Sequence, residues 1–309
     1  MPPHVAQGGT VVKPRWYSHG LNRLAYYRLA RAAATVLPRP VRLALARVVA
    51  RGVGRVLPAE RSRVRANLER VLTGASPREL DAAVDDTFAN FGAFFADLLI
   101  LNRADPVRLR RYVAQRAGDE HLDAVFAAGH GAVLVTAHLG NWELGGRLLG
   151  CRGGAPRTHV VLSVEEDAAL ERHLRVNAPE LRFVTRSHPA ATLGLLSALR
   201  RGEAVAMQGD RPTGERGDRL VSFFGATAAF PLGPFVLARA GGAPVLPAFC
   251  TMARDGRYRV DVGAPIWVKP GEEMAGLEAM VAALEVAVRA HPTQWFNFFD
   301  VWAPPVAHS

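Results

Sequence analysis

Cysteine is almost missing from the chain, with Cys151 and Cys250 the only two in 309 residues. They lie far apart and show no zinc-ligand spacing, so neither a disulfide framework nor a structural zinc site is expected. So few thiols suit a reducing compartment. Long apolar runs are also missing: arginines interrupt every apolar stretch before residue 60, and none reaches eighteen residues. A clean membrane span is therefore not expected. The first twenty residues lack the apolar centre of a signal peptide. No Gly-x-Ser-x-Gly elbow occurs, which argues against a serine esterase. Acidic residues are scarce at one end only. Residues 1–70 hold fourteen Lys and Arg against Glu60 and Glu69, while the rest holds 24 basic and 26 acidic residues. The net charge of +10 thus belongs to one segment. No internal repeat or low-complexity segment appears.

What is present is enough for a sizeable core, with 49% hydrophobic and 21% charged positions. Residues 1–18, with Pro2, Pro3, Gly8, Gly9 and Pro14, read as a flexible N-terminus. Residues 19–57 read as a basic amphipathic helical hairpin. Leu21, Ala25, Leu29, Ala32 and Val36 share one helical face. After Pro38 and Pro40, Val41, Leu45, Val48, Val49, Gly52 and Val56 form a second apolar stripe, beside Arg47, Arg51 and Arg55. Such a hairpin suits an anionic membrane surface; the alternative is a pair of ordinary packing helices with solvated arginines. A nucleic-acid partner is not expected, because no base-stacking aromatics alternate with the arginines.

Residues 58–309 read as the main domain. Ser76-Pro77-Arg78-Glu79 is a helix start, with a serine cap, proline at the first position and glutamate three residues on. Leu80, Val84, Phe88, Phe91, Phe95 and Leu98 follow at helical spacing as core, part of whose aromatic face could line an acyl channel. From residue 121 helix and strand alternate, predicting an α/β fold with a mostly parallel central sheet covered by helices. Strands are expected at Ala132 to Ala137, Val160 to Val164, Arg182 to Thr185, Ala204 to Gln208 and Pro244 to Phe249. Helices are expected near 141–150, 166–177, 190–201, 231–240 and 272–291. Asp255-Gly256 predicts a hairpin at the far side of the sheet.

The densest chemistry is in Thr136-Ala137-His138-Leu139-Gly140-Asn141-Trp142-Glu143, a predicted strand-to-helix turn carrying an imidazole and a carboxylate five residues apart. Neutral histidine within reach of a hydroxyl can take its proton as it attacks a carbonyl. A carboxylate on the other ring nitrogen fixes the tautomer and stabilises the imidazolium. His138 is thus a candidate base and Glu143 its orienter. Gly140 allows a tight turn and close approach of a ligand, and Asn141 suits the helix cap. The N–H groups of Gly140 to Trp142, or else a nearby basic side chain, are candidate oxyanion donors. The alternative is that His138 merely ends a strand and Glu143 merely opens a helix.

Ala137-His138-Leu139-Gly140-Asn141-Trp142-Glu143 resembles the signature block of the bacterial lipid A acyltransferases of the lauroyl and myristoyl type, and of the related phosphatidylinositol mannoside acyltransferases. Both belong to the lysophospholipid acyltransferase superfamily. Arg65-Ala66-Asn67-Leu68, Asn90-Phe91-Gly92, Gly209-Asp210-Arg211-Pro212, Phe223-Phe224-Gly225 and Pro292-Thr293-Gln294-Trp295 resemble further blocks in the family's order, so the resemblance runs from about residue 20 to residue 302.

The resemblance implies an O-acyltransferase peripheral on the cytoplasmic face of the cytoplasmic membrane. It would move a fatty acyl chain from acyl carrier protein or coenzyme A to a hydroxyl of a lipid or glycolipid, with no cofactor or metal. Gly140, Asn141 and Trp142 would line the substrate, and Asp210, Arg211 and Arg216 would hold the polar acceptor or a donor phosphate. Phe223, Phe224 and Phe230 would border an acyl groove or form core. One departure is plain: where lipid A acyltransferases show Arg-Pro after the second strand, this chain has Glu165-Glu166-Asp167, with Arg172 and Arg175 further on. A thioesterase using His138 on water, or an inactive membrane adaptor, are the alternative functions.

Overall fold

The computed structural model describes residues 35–150, 156–162, 181–185, 190–214 and 217–303. The expected first helix of the hairpin, the expected helix at 166–177, Glu165, Glu166, Asp167, Arg172, Arg175 and Arg216 lie outside the described residues.

Three helices form one flank: α1 (Arg39–Arg55), α2 (Pro58–Val71) and α3 (Pro77–Leu101). The start of α3 is the expected capping box, in which Ser76 Oγ accepts from the Glu79 N–H at 3.3 Å and Glu79 Oε2 accepts from the Ser76 N–H at 2.7 Å. Leu80, Val84, Phe88 and Leu98 are buried, whereas Phe91 and Phe95 remain half-exposed. Helix α1 lies close against α3: a Cβ added at Gly92 would stand 2.5 Å from Ala50 Cβ and 2.7 Å from the Ala46 carbonyl oxygen.

The face of α1 that turns inward is not the apolar stripe that an ordinary packing helix would bury. Leu43 is buried, and so are Arg42 and the α3 carboxylate Asp97, which Arg42 Nη2 meets at 3.0 Å. Arg39 grips the same carboxylate at 2.6 Å. Arg47 turns toward Met252 and Arg51 pairs with Asp86. The stripe Val41, Leu45, Val48, Val49 and Val56 therefore faces outward, each residue at least half exposed.

After α4 (Pro106–Arg110), the strands β1 (Val113–Ala117), β2 (Ala132–Thr136), β3 (Thr158–Leu162), β4 (Leu181–Thr185), β5 (Ala204–Gln208), β8 (Val245–Met252) and β9 (Tyr258–Val262) make a seven-stranded sheet. Its order is β1-β9-β8-β2-β5-β3-β4, and every neighbouring pair is parallel except β8 with β9. Helices α5 (Asp119–Ala127), α6 (Trp142–Gly150), α7 (Ala191–Arg200), α8 (Gly233–Gly241) and α9 (Glu273–Ala290) cover it. The fold is thus the expected α/β one. Strand β2, between β5 and β8, is buried at four of its five residues, as a continuous valine-rich run requires.

Two features escaped the sequence reading. Strand β1, Val-Ala-Gln-Arg-Ala, is an edge strand with no apolar pattern to announce it. A separate hairpin joins β6 (Asp218–Phe223) to β7 (Ala226–Pro231) through Phe224, at φ 48°, and Gly225, at φ 73°. Two successive positive φ angles suit a tight hairpin turn, but phenylalanine is an unusual residue in the first position. Phe223 and Phe230 are fully buried, which makes them core and not the walls of a groove.

Candidate active site

Strand register explains the centre of the site. Strands β2 and β5 are parallel with Thr136 opposite Gln208, so the chain two residues further on sets His138 beside Asp210, at the carboxyl ends of both strands. That end of an open α/β sheet is where ligands bind. His138 Nδ1 lies 2.8 Å from Asp210 Oδ1, and the His138 backbone N–H donates to Asp210 Oδ2 at 2.9 Å.

Asp210 is 1% exposed. Burial alone would raise its pKa, yet the His138 charge and hydrogen bonds, together with Arg211, hold the carboxylate well below the ordinary aspartate range. It also accepts from Trp295 Nε1 at 3.3 Å and Asn297 Nδ2 at 3.2 Å. An ionised carboxylate only accepts, so the imidazole hydrogen sits on Nδ1 and leaves Nε2 as the basic nitrogen. The orienting partner on Nδ1 is therefore Asp210, where the sequence reading placed Glu143. Glu143 stands half-buried on the first turn of α6.

The turn after His138 is held from below. Gly140 has φ 63°, and a Cβ there would come within 2.0 Å of the Cys250 carbonyl oxygen. Its close approach is to strand β8 and not to a ligand. The Gly140 N–H donates to Gln294 O at 2.8 Å and the Asn141 N–H to Cys250 O at 2.7 Å. Two of the N–H groups expected to cradle an oxyanion are thus already engaged. Asn141 is 4% exposed; its Oδ1 caps α6 at the Leu144 N–H, 3.2 Å away, and its Nδ2 donates to Phe94 O and Tyr258 Oη at 3.2 and 3.0 Å. Three of the four hydrogen-bonding positions of that amide are used on the protein itself, so Asn141 acts as a strut of the turn. Trp142 is the exception in the turn: half-exposed, its ring centroid 4.8 Å from that of His138, it borders the reactive face.

Arg211, expected to meet phosphate, gives two of its donors to the C-terminal segment. Its Nε donates to Asn297 Oδ1 and its Nη2 to Phe296 O, both at 2.8 Å, and its guanidinium lies 5.2 Å from the Phe299 ring centre. The same segment is tied from two other places. Asn67 Nδ2 donates to Asn297 O and Phe299 O at 2.9 and 2.8 Å, and Asn90 Nδ2 donates to Thr293 O at 3.1 Å. Gln294 pairs its amide with both backbone groups of Met252, at 2.9 Å each. The scattered blocks noticed in the sequence therefore converge on one strap, residues 292–302, that closes over Asp210. Trp295 and Asn297 were not singled out as site residues; their polar side chains in an otherwise aromatic run, Trp-Phe-Asn-Phe-Phe, are the signal that was there to read.

Among the described residues no group of three or more His, Cys, Asp and Glu side chains is placed to hold a metal ion. The arrangement offers a basic Nε2 on an oriented imidazole, which is the equipment of proton abstraction from a hydroxyl or water.

A family model described as bacterial lipid A biosynthesis acyltransferase matches residues 24–303. The chain is 27% identical over 251 residues to a phosphatidylinositol mannoside acyltransferase of Mycobacterium tuberculosis, covering 80% of this chain and 78% of that one. It is 26% identical over 286 residues to a phosphatidylinositol mannoside acyltransferase of Mycolicibacterium smegmatis, covering 91% and 90%. To a lipid A biosynthesis palmitoleoyltransferase of Escherichia coli it is 23% identical over 261 residues, 84% of each chain.

Proposed function

Because the chain belongs to the family of bacterial lipid A biosynthesis acyltransferases, we propose that it moves a fatty acyl group from a thioester, on acyl carrier protein or coenzyme A, to a hydroxyl of a membrane glycolipid. The observation that carries the chemistry is the buried His138–Asp210 pair at the strand ends. His138 Nε2 takes the hydroxyl proton as the oxygen attacks the thioester carbonyl. The tetrahedral adduct then collapses, the C–S bond breaks, and the leaving thiolate takes the proton from the imidazolium. Asp210 keeps the imidazole in one tautomer and stabilises the charged ring. Glu143, on the first turn of α6, is proposed to favour the imidazolium through its negative charge. No residue of the enzyme becomes acylated.

The reaction takes place, on this reading, at the cytoplasmic face of the membrane. What supports this is the outward apolar stripe on α1 together with the basic N-terminal segment. Among the described residues no helix is long and apolar enough to cross a membrane, which fits a peripheral attachment by α1 and the segment before it.

Incubating the protein with a labelled acyl thioester and glycolipid vesicles tests the reading. Label appearing in an esterified lipid, and lost in a folded His138→Ala variant, is the expected result. Release of free fatty acid at the same rate with and without acceptor would make the protein a thioesterase that uses the same pair on water. Running carrier-protein and coenzyme A thioesters in parallel identifies the donor.

A further inference from the structure

Behind the catalytic turn lies a buried polar chain that the reaction itself does not use. Asp97 on α3 is 0% exposed and takes Arg39 and Arg42 of α1 on its two oxygens. Tyr258 on β9, also 0% exposed, donates its hydroxyl to Asp97 Oδ2 at 2.9 Å. The same hydroxyl oxygen accepts from Asn141 Nδ2 at 3.0 Å. Asn141 in turn caps α6, whose first residue, Trp142, lies against the His138 ring.

The direction of each bond is fixed by chemistry. An ionised Asp97 accepts only, so the tyrosine hydrogen points to it. The tyrosine lone pair is then left for Asn141, and the amide must present its NH2 there and its oxygen to the Leu144 N–H. Burial, with the Asp97 charge added, raises the Tyr258 pKa well above the usual phenol value, which keeps the hydroxyl protonated. A carboxylate two bonds away thus helps to fix the cap, together with Phe94 O and the Leu144 N–H. Without the hydroxyl, the amide loses one of the three bonds that hold it and keeps only those to Phe94 O and the Leu144 N–H, both at 3.2 Å.

We propose that Asp97 and Tyr258 are positioning residues for acyl transfer: through Asn141 they set the turn that aims His138, and through Arg39 and Arg42 they make that aim depend on how α1 is seated. The proposal rests on the acyl-transfer reading for its kinetic arm and on geometry alone for its spectroscopic arm. Displacing a catalytic group by a fraction of its working distance slows turnover more than it weakens binding.

The experiment compares Tyr258→Phe, which keeps the buried ring and deletes only the hydroxyl, with Val260→Ala, a buried change on the same strand with no polar link to the turn. Both are assayed with a thioester and acceptor pair on which the wild type turns over and His138→Ala does not. For Tyr258→Phe, kcat should fall about ten- to a hundredfold with KM within about twofold, and Val260→Ala, even at an equal loss of melting temperature, should keep its kcat. The His138 ring resonances, assigned by their loss in His138→Ala, should move in Tyr258→Phe and stay in Val260→Ala. A kcat for Tyr258→Phe equal to that of Val260→Ala overturns the proposal. So do unmoved His138 resonances, and these decide the matter even if no acceptor supports transfer, a result that would count against the acyl-transfer reading alone.

Discussion

Asp210 holds His138 at two points, the ring Nδ1 at 2.8 Å and the backbone N–H at 2.9 Å, so one buried carboxylate fixes both the tautomer and the place of the base. It is also the group on which Trp295 and Asn297 of the C-terminal strap converge. Removing its charge therefore acts on chemistry and on folding together.

Asp210→Asn should lower kcat by about two to four orders of magnitude, because an amide can force the wrong tautomer on the imidazole. It should also lower stability by about 1–3 kcal/mol, since a network of buried donors loses its charged acceptor. Glu143→Gln should slow turnover over a similar range with little change in stability, as the residue is half-exposed on a helix start. The two losses should not add, because both act through one ring. Kinetics with denaturant melts on the two single variants and the double variant check this. Near-normal turnover of a folded Asp210→Asn protein would remove Asp210 from the mechanism.

Away from the site, Glu203 at the start of β5 is held ionised by hydrogen bonds from Arg201 and then from His159, which lower its pKa from 4.5 to about 2. A carboxylate with a depressed folded-state pKa adds stability that is complete above its ordinary value and is lost as pH falls through the folded value. The stability difference between wild type and Glu203→Gln should thus be constant above about pH 5 and shrink between about pH 4.5 and 2. Thermal melts across that window measure it, and a difference that stays constant down to pH 2 would contradict the bond.

The fold and the strand-to-helix turn that carries His138 were legible because they depend on local pattern. The valine run, the capping box and the His-to-Glu spacing each lie within about ten residues. The orienter was not legible, because His138 and Asp210 are 72 residues apart and meet only through the register of two parallel strands. The same holds for α1. Periodicity showed which residues share a face, but the choice of inward face was made by Asp97, 55 residues beyond Arg42. An arginine is normally read as solvent-facing, and here a buried carboxylate draws two of them inside. The apolar stripe is left outside as a consequence.

That outward stripe makes the membrane reading testable without cutting the chain. Deleting α1 would strand Asp97 without its arginines and destabilise the protein, so point changes are the cleaner probe. Burying one Leu or Val side chain is worth about 1.5–3 kcal/mol, and a charge in its place opposes insertion. Leu45→Glu with Val49→Glu should therefore weaken sedimentation with anionic vesicles at least about tenfold, with the melting temperature nearly unchanged because both residues are exposed. Salt should weaken the wild-type binding further. Unchanged sedimentation of the double variant would show that α1 does not meet the membrane.

Acceptor choice is the last consequence. On the proposed mechanism the residues around His138 and Asp210 serve acyl transfer, and the acceptor is distinguished by what lies at the rim. Where lipid A acyltransferases carry an Arg-Pro pair, the sequence has Glu165-Glu166-Asp167, which lie outside the described residues. Arg211, the arginine expected to receive a phosphate, points two of its donors at Asn297 and Phe296. Both observations disfavour an acceptor with exposed phosphate groups, since like charges at a rim reduce binding and an engaged guanidinium has fewer donors to offer. A glycolipid without exposed phosphate groups should accordingly be acylated at a kcat/KM at least about tenfold above that of a bis-phosphorylated lipid A precursor. Competing the two in mixed vesicles with one labelled thioester measures the ratio directly. A preference for the lipid A precursor would mean that the acidic stretch faces away from the acceptor and that the phosphates find their cations elsewhere.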